Sequence, residues 1–576
     1  MKRRSLLSLA LLAGAAGASD SAFKPVGLPS EASELDTGIE DFLMGLWQLD
    51  PDAAVAAGRF EQSHRITLPS AALRAQRRQF LKRWLKAFQR LAVDKLGAAE
   101  RMDRDMLIAK LQSDLWRLEV LREWAWNPAE HNPAGPIDLA LNTDWAPVQQ
   151  RVQALHARIR QLPAFYAAAR ASLVGVTREH TELALQQAPG VLAVLEDLES
   201  QAQQQGLGAL MQPDLAQARA AVAGWQAHLR QLLPIARRPW RLSAALYETK
   251  FKHDIQSARS ARETYELALA RRETVLASMQ AQAEALWPTV IGPEAPPADR
   301  FALIGRVIAK LSEKHVARDR FVDEIRAQIP QLEAWVRDHD LLTQDPAKPL
   351  AVRETPVYQR GVAGASIEAP GPYRPQDSTY YNVTPLDDLT PEQAESTLRE
   401  YNQWILQILN IHEAIPGHYT QLVYANKVPS KVKALFGSGS MVEGWAVYGE
   451  LMMLESGYGA SPEMTLMWGK WHLRSVTNTI LDYSVHVLGM EQKAALDLLT
   501  RQAFQTEREA AEKWRRVQLT SVQLTSYFSG FSEIHALREQ LKAKPGFGLK
   551  AFHEKFLSYG NAPVRLIAAE MAGALR

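Results

Sequence analysis

Apolar residues recur every three to four positions through most of this chain, and that period predicts helices. Arg74 to Leu91 places Phe80, Trp84, Leu85, Phe88 and Leu91 on one face with basic residues opposite. Met102 to Trp126, Val148 to Leu173, Leu215 to Leu233 and Ser257 to Leu286 repeat the pattern, and their charged faces read as solvated ones. Alternating β-branched stretches are scarce; Val357 to Ile367 and Tyr380 to Thr384 are the best strand candidates. Pro288 to Pro297 and Thr343 to Pro356 read as loops, and Asp377 to Thr390 carries turn signals. Thr390-Pro391-Glu392-Gln393 is a helix start, with Thr as N-cap, Pro in the first turn and Gln closing a capping box. From there an apolar face runs through Leu398, Trp404, Ile405, Ile408, Leu409 and Ile411. The expected fold is mainly α with little β.

Length adds that more than one core is expected, since 576 residues exceed an ordinary compact domain. The simplest partition is an N-terminal helical half over 19–345 and a C-terminal helical half over 346–576. The 66 basic and 64 acidic residues nearly cancel, so no charge field points to nucleic acid. Cysteine is absent, which excludes thiol nucleophiles, thiolate metal sites and disulfides and leaves His, Asp and Glu as metal ligands.

The first residues narrow the compartment. Met1-Lys2-Arg3-Arg4 precedes an apolar run from Leu6 to Ala18 that ends in Ala16-Gly17-Ala18, the pattern of a signal peptide over 1–18. Arg3-Arg4 permits the twin-arginine route as well as the general one. Leader removal takes away three basic residues and leaves a formal charge of −1. A periplasmic or secreted protein without an integral membrane segment is expected.

The chemistry concentrates where the apolar face ends, in His412-Glu413-Ala414-Ile415-Pro416-Gly417-His418. Two histidines and a glutamate are costly to bury without partners, and a divalent cation on neutral imidazoles is one partner. The usual zinc-peptidase pattern spaces its histidines by four, on one helical face. Here the spacing is six, which sets His418 about 120° from His412 on a regular helix. Pro416 and Gly417 break that regularity. Either a kink or π-type bulge returns the imidazoles to one ion, or the helix ends at Pro416 and His418 is an ordinary polar residue. Downstream, Glu443 and Glu450 are seven apart and share a helical face. Glu443 can donate an oxygen ligand, with Glu450 in support; alternatively, Ser440 and Glu443 form a capping box.

HEAIPGHYTQ followed by EGWAVYGE resembles the zincin-like bacterial domain-of-unknown-function family 885, whose members are often exported. The likeness continues through Asp482 to His486, Gln523 to Gly530 and Phe552 to Leu566. It implies a large multi-helix, gluzincin-like fold with two helical halves around a cleft. By that likeness His412, His418 and Glu443 hold Zn2+ and Glu413 is the general base of a metallopeptidase. Tyr527, and after it His486, are candidate donors to an oxyanion, unless Tyr527 packs in the core and His486 makes a plain polar contact. Arg474, Arg538 and Tyr381 are candidates for holding a peptide, although each arginine can equally pair with acids on neighbouring helices. The expected substrate is an oligopeptide. A zinc hydrolase of non-peptide amides or esters, and a non-catalytic peptide- or metal-binding protein, are the alternatives.

Overall fold

The computed structural model describes residues 34–573 except 346, 349, 356–363, 371 and 375–377, so the leader over 1–18 lies outside the described residues. Helix accounts for 72% of the chain and strand for 3%, which makes the fold mainly α.

The predicted helices form, with breaks where local chemistry demands them. Ala71–Arg90 starts at Ser70, whose hydroxyl accepts from Leu73 N–H. The stretch expected as continuous from Met102 to Trp126 instead breaks at Arg122, a residue at φ 53° between a π turn and the short helix Glu123–Trp126. Val148 to Leu173 divides into Val148–Ile159 and Leu162–Ser172, the second opening with Pro163 in its first turn. Helix α1 (Ala261–Val290) begins with a Ser260–Glu263 capping box and runs through Pro288, where a loop was expected.

Three short strands follow. β1 (Ala351–Glu354), β2 (Ala365–Glu368) and β3 (Tyr380–Val383) form one sheet in the order β1-β3-β2. β1 runs parallel to β3 with Ala351 opposite Tyr380, and β2 antiparallel with Ala365 opposite Val383. β1 occupies part of the segment read as a loop, while part of the candidate strand Val357 to Ile367 lies outside the described residues.

The remaining helices that build the site are α2 (Pro391–Glu400), α3 (Ile405–Glu413), α4 (His418–Ala425), α5 (Gly439–Glu455), α6 (Pro462–His486), α7 (Glu507–Leu519) and α8 (Ser526–Lys542). The Thr390 capping box is present. The apolar face after it does not lie on one helix, because the Asn402 side chain accepts from the backbone N–H groups of Trp404 and Ile405 and starts α3 afresh. α1 packs along α6, and α5 packs along α8 and against α3. The largest core joins Phe42 and Leu107 to Ile411, Trp445, Val476 and Phe528, so it crosses residue 345; a second core lies wholly within residues 55–229.

Candidate metal centre and its cavity

α3 ends at Glu413 and α4 begins at His418, so the helix stops before Pro416 and a new one starts at the second histidine. The interruption is a tight turn instead of a bulge. A Cβ on Gly417 would sit 1.9 Å from the carbonyl oxygen of His412, so only glycine lets the turn fold back this closely. The result brings the imidazoles of His412 and His418 together, with ring centroids 4.8 Å apart and planes at 86°.

The third group arrives on α5. The capping residue of α5 is Ser438, whose side chain accepts from Met441 N–H, while the hydroxyl of Ser440 donates to the Ser526 carbonyl on α8. The Ser440–Glu443 capping box therefore does not form, and Glu443 is free to face the histidines. Its Oε2 lies 3.7 Å from His412 Nε2 and 3.5 Å from His418 Nε2. α5 approaches α8 through two glycines: a Cβ on Gly444 would lie 2.5 Å from Gly530 Cα. The Trp445 indole donates to the Pro416 carbonyl at 2.9 Å, which ties the turn between the histidines to the helix carrying Glu443.

One ligand atom from each of His412, His418 and Glu443 lies within 4.8 Å of the others. Ligands about 2.0–2.1 Å from a tetrahedral ion are roughly 3.3 Å apart, so this set fits a zinc-sized cation with small adjustment. His412 is oriented for it: Nδ1 bonds Glu450 Oε1 at 2.6 Å, leaving Nε2 to the site, and Trp471 Nε1 donates to the same oxygen at 3.0 Å. The second nitrogen of His418, Nδ1, is buried without a hydrogen-bond partner among the described residues.

The electrostatics match an anionic cradle. Burial disfavours the His412 imidazolium, but Glu443 and Glu450, then Glu413, outweigh it and hold its pKa well above the usual value. Burial also acts on Glu443, yet His412 and His418 draw its pKa below the ordinary carboxylate range. Glu413 is pushed upward, first by burial and then by Glu443, against the two histidines.

His412 and Glu413 line a cavity of about 470 Å³ whose walls include Tyr401, Trp471, Arg474, Lys513 and Tyr527. Gly364 and Ala365, at the start of β2, close one side. A larger cavity of about 600 Å³ near Tyr419 and Lys550 contains none of His412, Glu413 or Glu443.

With this geometry in view, the model of the bacterial family of unknown function DUF885 matches residues 51–571. The chain belongs to this family. A solved structure described as a candidate lipoprotein of unknown function from Shewanella oneidensis is 44% identical, with a TM-score of 0.86 over 94% of this chain and 100% of that one. A second, described as a candidate lipoprotein from Colwellia psychrerythraea, is 16% identical with a TM-score of 0.77 over 95% and 100% and shares the fold. No curated protein matches the chain.

In this DUF885 member, the residues expected at the site divide into two groups. His412, Glu413, His418, Glu443, Glu450, Arg474 and Tyr527 come together, with Tyr527 half-buried on the cavity wall. Arg474 is ion-paired to Glu509 at 2.8 Å, so it is already held. Three other candidates do not reach the cavity. His486 is buried, and its Nε2 lies 2.9 Å from the Val517 carbonyl and 3.0 Å from that of Thr520, so it pins α6 to the end of α7. Arg538 pairs with Glu455 at 3.1 Å and Glu539 at 2.8 Å, its guanidinium over the Tyr448 ring. Tyr381 is fully buried, and its hydroxyl donates to Asn410 Oδ1 at 3.0 Å, which anchors α3 two residues before His412. Sequence reading missed Trp471, Lys513 and Arg516; nothing in EREAAEKWRR separates Lys513 from an ordinary amphipathic helix. Among the described residues no helix is long and apolar enough to cross a membrane.

Proposed function

We propose that this protein is an exported zinc-dependent hydrolase that cleaves short peptides. The observation that carries the reading is the convergence of His412, His418 and Glu443 beside a cavity wall occupied by Glu413. Zinc held by those three groups supplies Lewis acidity towards water and a substrate carbonyl. Glu413 adjoins the first ligand in sequence and lines the cavity, which suits a base that takes a proton from water and passes it to the leaving amine. The Tyr527 hydroxyl, across the same cavity, is the donor to the oxyanion. Trp471 and Tyr401 give the cavity apolar surface for side chains flanking the bond. A protein that only bound peptide or metal would have no use for Glu413 at this position.

Export rests on the leader-like start, Met1 to Ala18, and on a relative described as a candidate lipoprotein; the destination is the periplasm or the medium. With no cysteine in the sequence, attachment of lipid to cysteine is not carried over.

Metal analysis of purified protein and a chelator-sensitive digest of a peptide library test the reading. Glu413→Gln should abolish turnover and keep bound zinc; loss of zinc would make Glu413 a ligand. His418→Ala should lose most of its metal, and full zinc occupancy would refute the ligand set. Zinc without cleavage of any peptide would favour a binding protein.

A further inference from the structure

The cavity beside Glu413 carries two cations, Lys513 and Arg516, that no carboxylate among the described residues pairs with directly. Lys470 Nζ lies 2.7 Å from Glu400 Oε2, and Arg474 Nη1 lies 2.8 Å from Glu509 Oε1 and 3.6 Å from Glu400 Oε1. Those two acids thus serve Lys470 and Arg474. Glu512, on the rim, pairs with Arg508 at 3.0 Å. Lys513 and Arg516 both lie on α7. Lys513 is only 6% exposed, and among the described residues it has neither an ion pair nor a hydrogen bond. Arg516, one turn along, donates to Gln523 Oε1 at 2.7 Å and to the Tyr527 hydroxyl at 3.3 Å, and no carboxylate among the described residues pairs with it.

A lysine enclosed this far without a partner is costly to charge, and an anion entering the cavity that it lines would complete it. Burial, reinforced by Arg474 and Arg516, drives the Lys513 pKa well below the usual lysine value, against the pull of Glu509 and Glu400. An incoming anion relieves that cost. Glu413 and Glu509 on the same cavity disfavour a dianion such as phosphate, whereas a singly charged carboxylate balances one cation.

We propose that Lys513 and Arg516 form a carboxylate-binding subsite, so that the substrate is a short peptide with a free carboxylate near the bond to be cut. This rests on the hydrolase reading and narrows it. The carboxylate is either the C-terminal one or an acidic side chain, and both present the same chemistry to the subsite.

The test is calorimetric binding to the full-length Glu413→Gln variant, which separates binding from turnover. The probes are trialanine, trialanine amide and Ala-Glu-Ala amide. Trialanine should bind at least ~10-fold more tightly than its amide, as a charge-assisted contact requires. Adding Lys513→Met should shrink the gap to below ~3-fold, Arg516→Gln should shrink it partly, and Lys513→Arg should preserve it. If Ala-Glu-Ala amide binds as well as trialanine, the side chain supplies the carboxylate; if it binds as weakly as trialanine amide, the C-terminus does. Equal affinities for acid and amide, no binding of either at millimolar peptide, or a gap that survives both charge-removing variants overturns the subsite. A preference for the acid with no cleavage by the zinc-loaded natural protein removes the hydrolase and leaves the subsite. Cleavage of trialanine and its amide at equal rate and affinity does the reverse.

Discussion

Glu450 holds His412 from behind: its Oε1 is 2.6 Å from Nδ1 of the imidazole and also accepts from the Trp471 indole at 3.0 Å. Glu450 is only 1% exposed, and the His412 and Trp471 donors offset part of the cost of a charge there, although burial still raises its pKa. Glu450→Gln keeps the shape and removes the charge. Zinc affinity should fall by ~10- to 100-fold with the helical content unchanged, as for other carboxylates that orient a ligating histidine. Competition with a chelator of known affinity measures it, and unchanged affinity would mean that Glu450 does not tune the site.

Trp445 sits at the junction of the two motifs. Its indole N–H reaches the Pro416 carbonyl at 2.9 Å, and its ring stacks on Phe556 with centroids 5.7 Å apart. Trp445→Phe retains an aromatic ring but leaves a buried carbonyl without its donor. The expected cost is about 1–3 kcal/mol in chemical denaturation of the metal-free protein. Because the lost bond anchors the turn before His418, zinc affinity should fall with it. A destabilised variant with unaltered zinc affinity would show that the indole supports the core alone.

Gly417 is the narrowest point of the turn. A methyl group there meets the backbone of His412 and Ile411, at 1.9 and 2.3 Å from their carbonyl oxygens, and backbone cannot step aside as a side chain can. Gly417→Ala should therefore separate the histidines and lose most of the bound metal, while circular dichroism still reports a helical protein. Gly135, where an added Cβ meets nothing within 4 Å, provides the control: Gly135→Ala should leave metal content alone.

How far the sequence foretold this site follows from where each partner lies along the chain. The box at Thr390 and Gln393 was readable because cap and partner are three residues apart. Pro416 and Gly417 announced an irregular join between the histidines, but a bulge and a full stop with a restart leave similar local marks. Ser440 resembled a cap because only spacing was visible; Ser438 does the capping, and Ser440 bonds Ser526 on a helix far along the chain. The same distance hid the real duties of Arg538, His486 and Tyr381. Their partners Glu455, Val517 and Asn410 are 83, 31 and 29 residues away. Helical periodicity carries no information about such pairs.

His553 supplies a pH dependence that does not involve the metal ligands. It is fully buried between Tyr448, whose hydroxyl lies 2.8 Å from Nε2, and the Leu341 carbonyl, 2.8 Å from Nδ1. A neutral ring donating from Nδ1 and accepting at Nε2 satisfies both contacts. Burial lowers its pKa to about 4 despite the help of the Leu341 carbonyl, with Arg538 adding to the fall. The unfolded chain has an ordinary histidine near pH 6.5. Between those values the unfolded state binds the proton and the folded state does not, so stability is complete above about pH 6.5 and declines as pH drops towards 4. Across that window one such group contributes at most about 3 kcal/mol. His131, also buried and also lowered to about 4, adds a second contribution of the same sign. His553→Gln can keep both hydrogen bonds without titrating. Urea unfolding of the metal-free protein at intervals from pH 7 to 4 should show a shallower loss of stability for this variant than for the natural protein. Parallel curves would mean that His553 takes up its proton equally in the folded state.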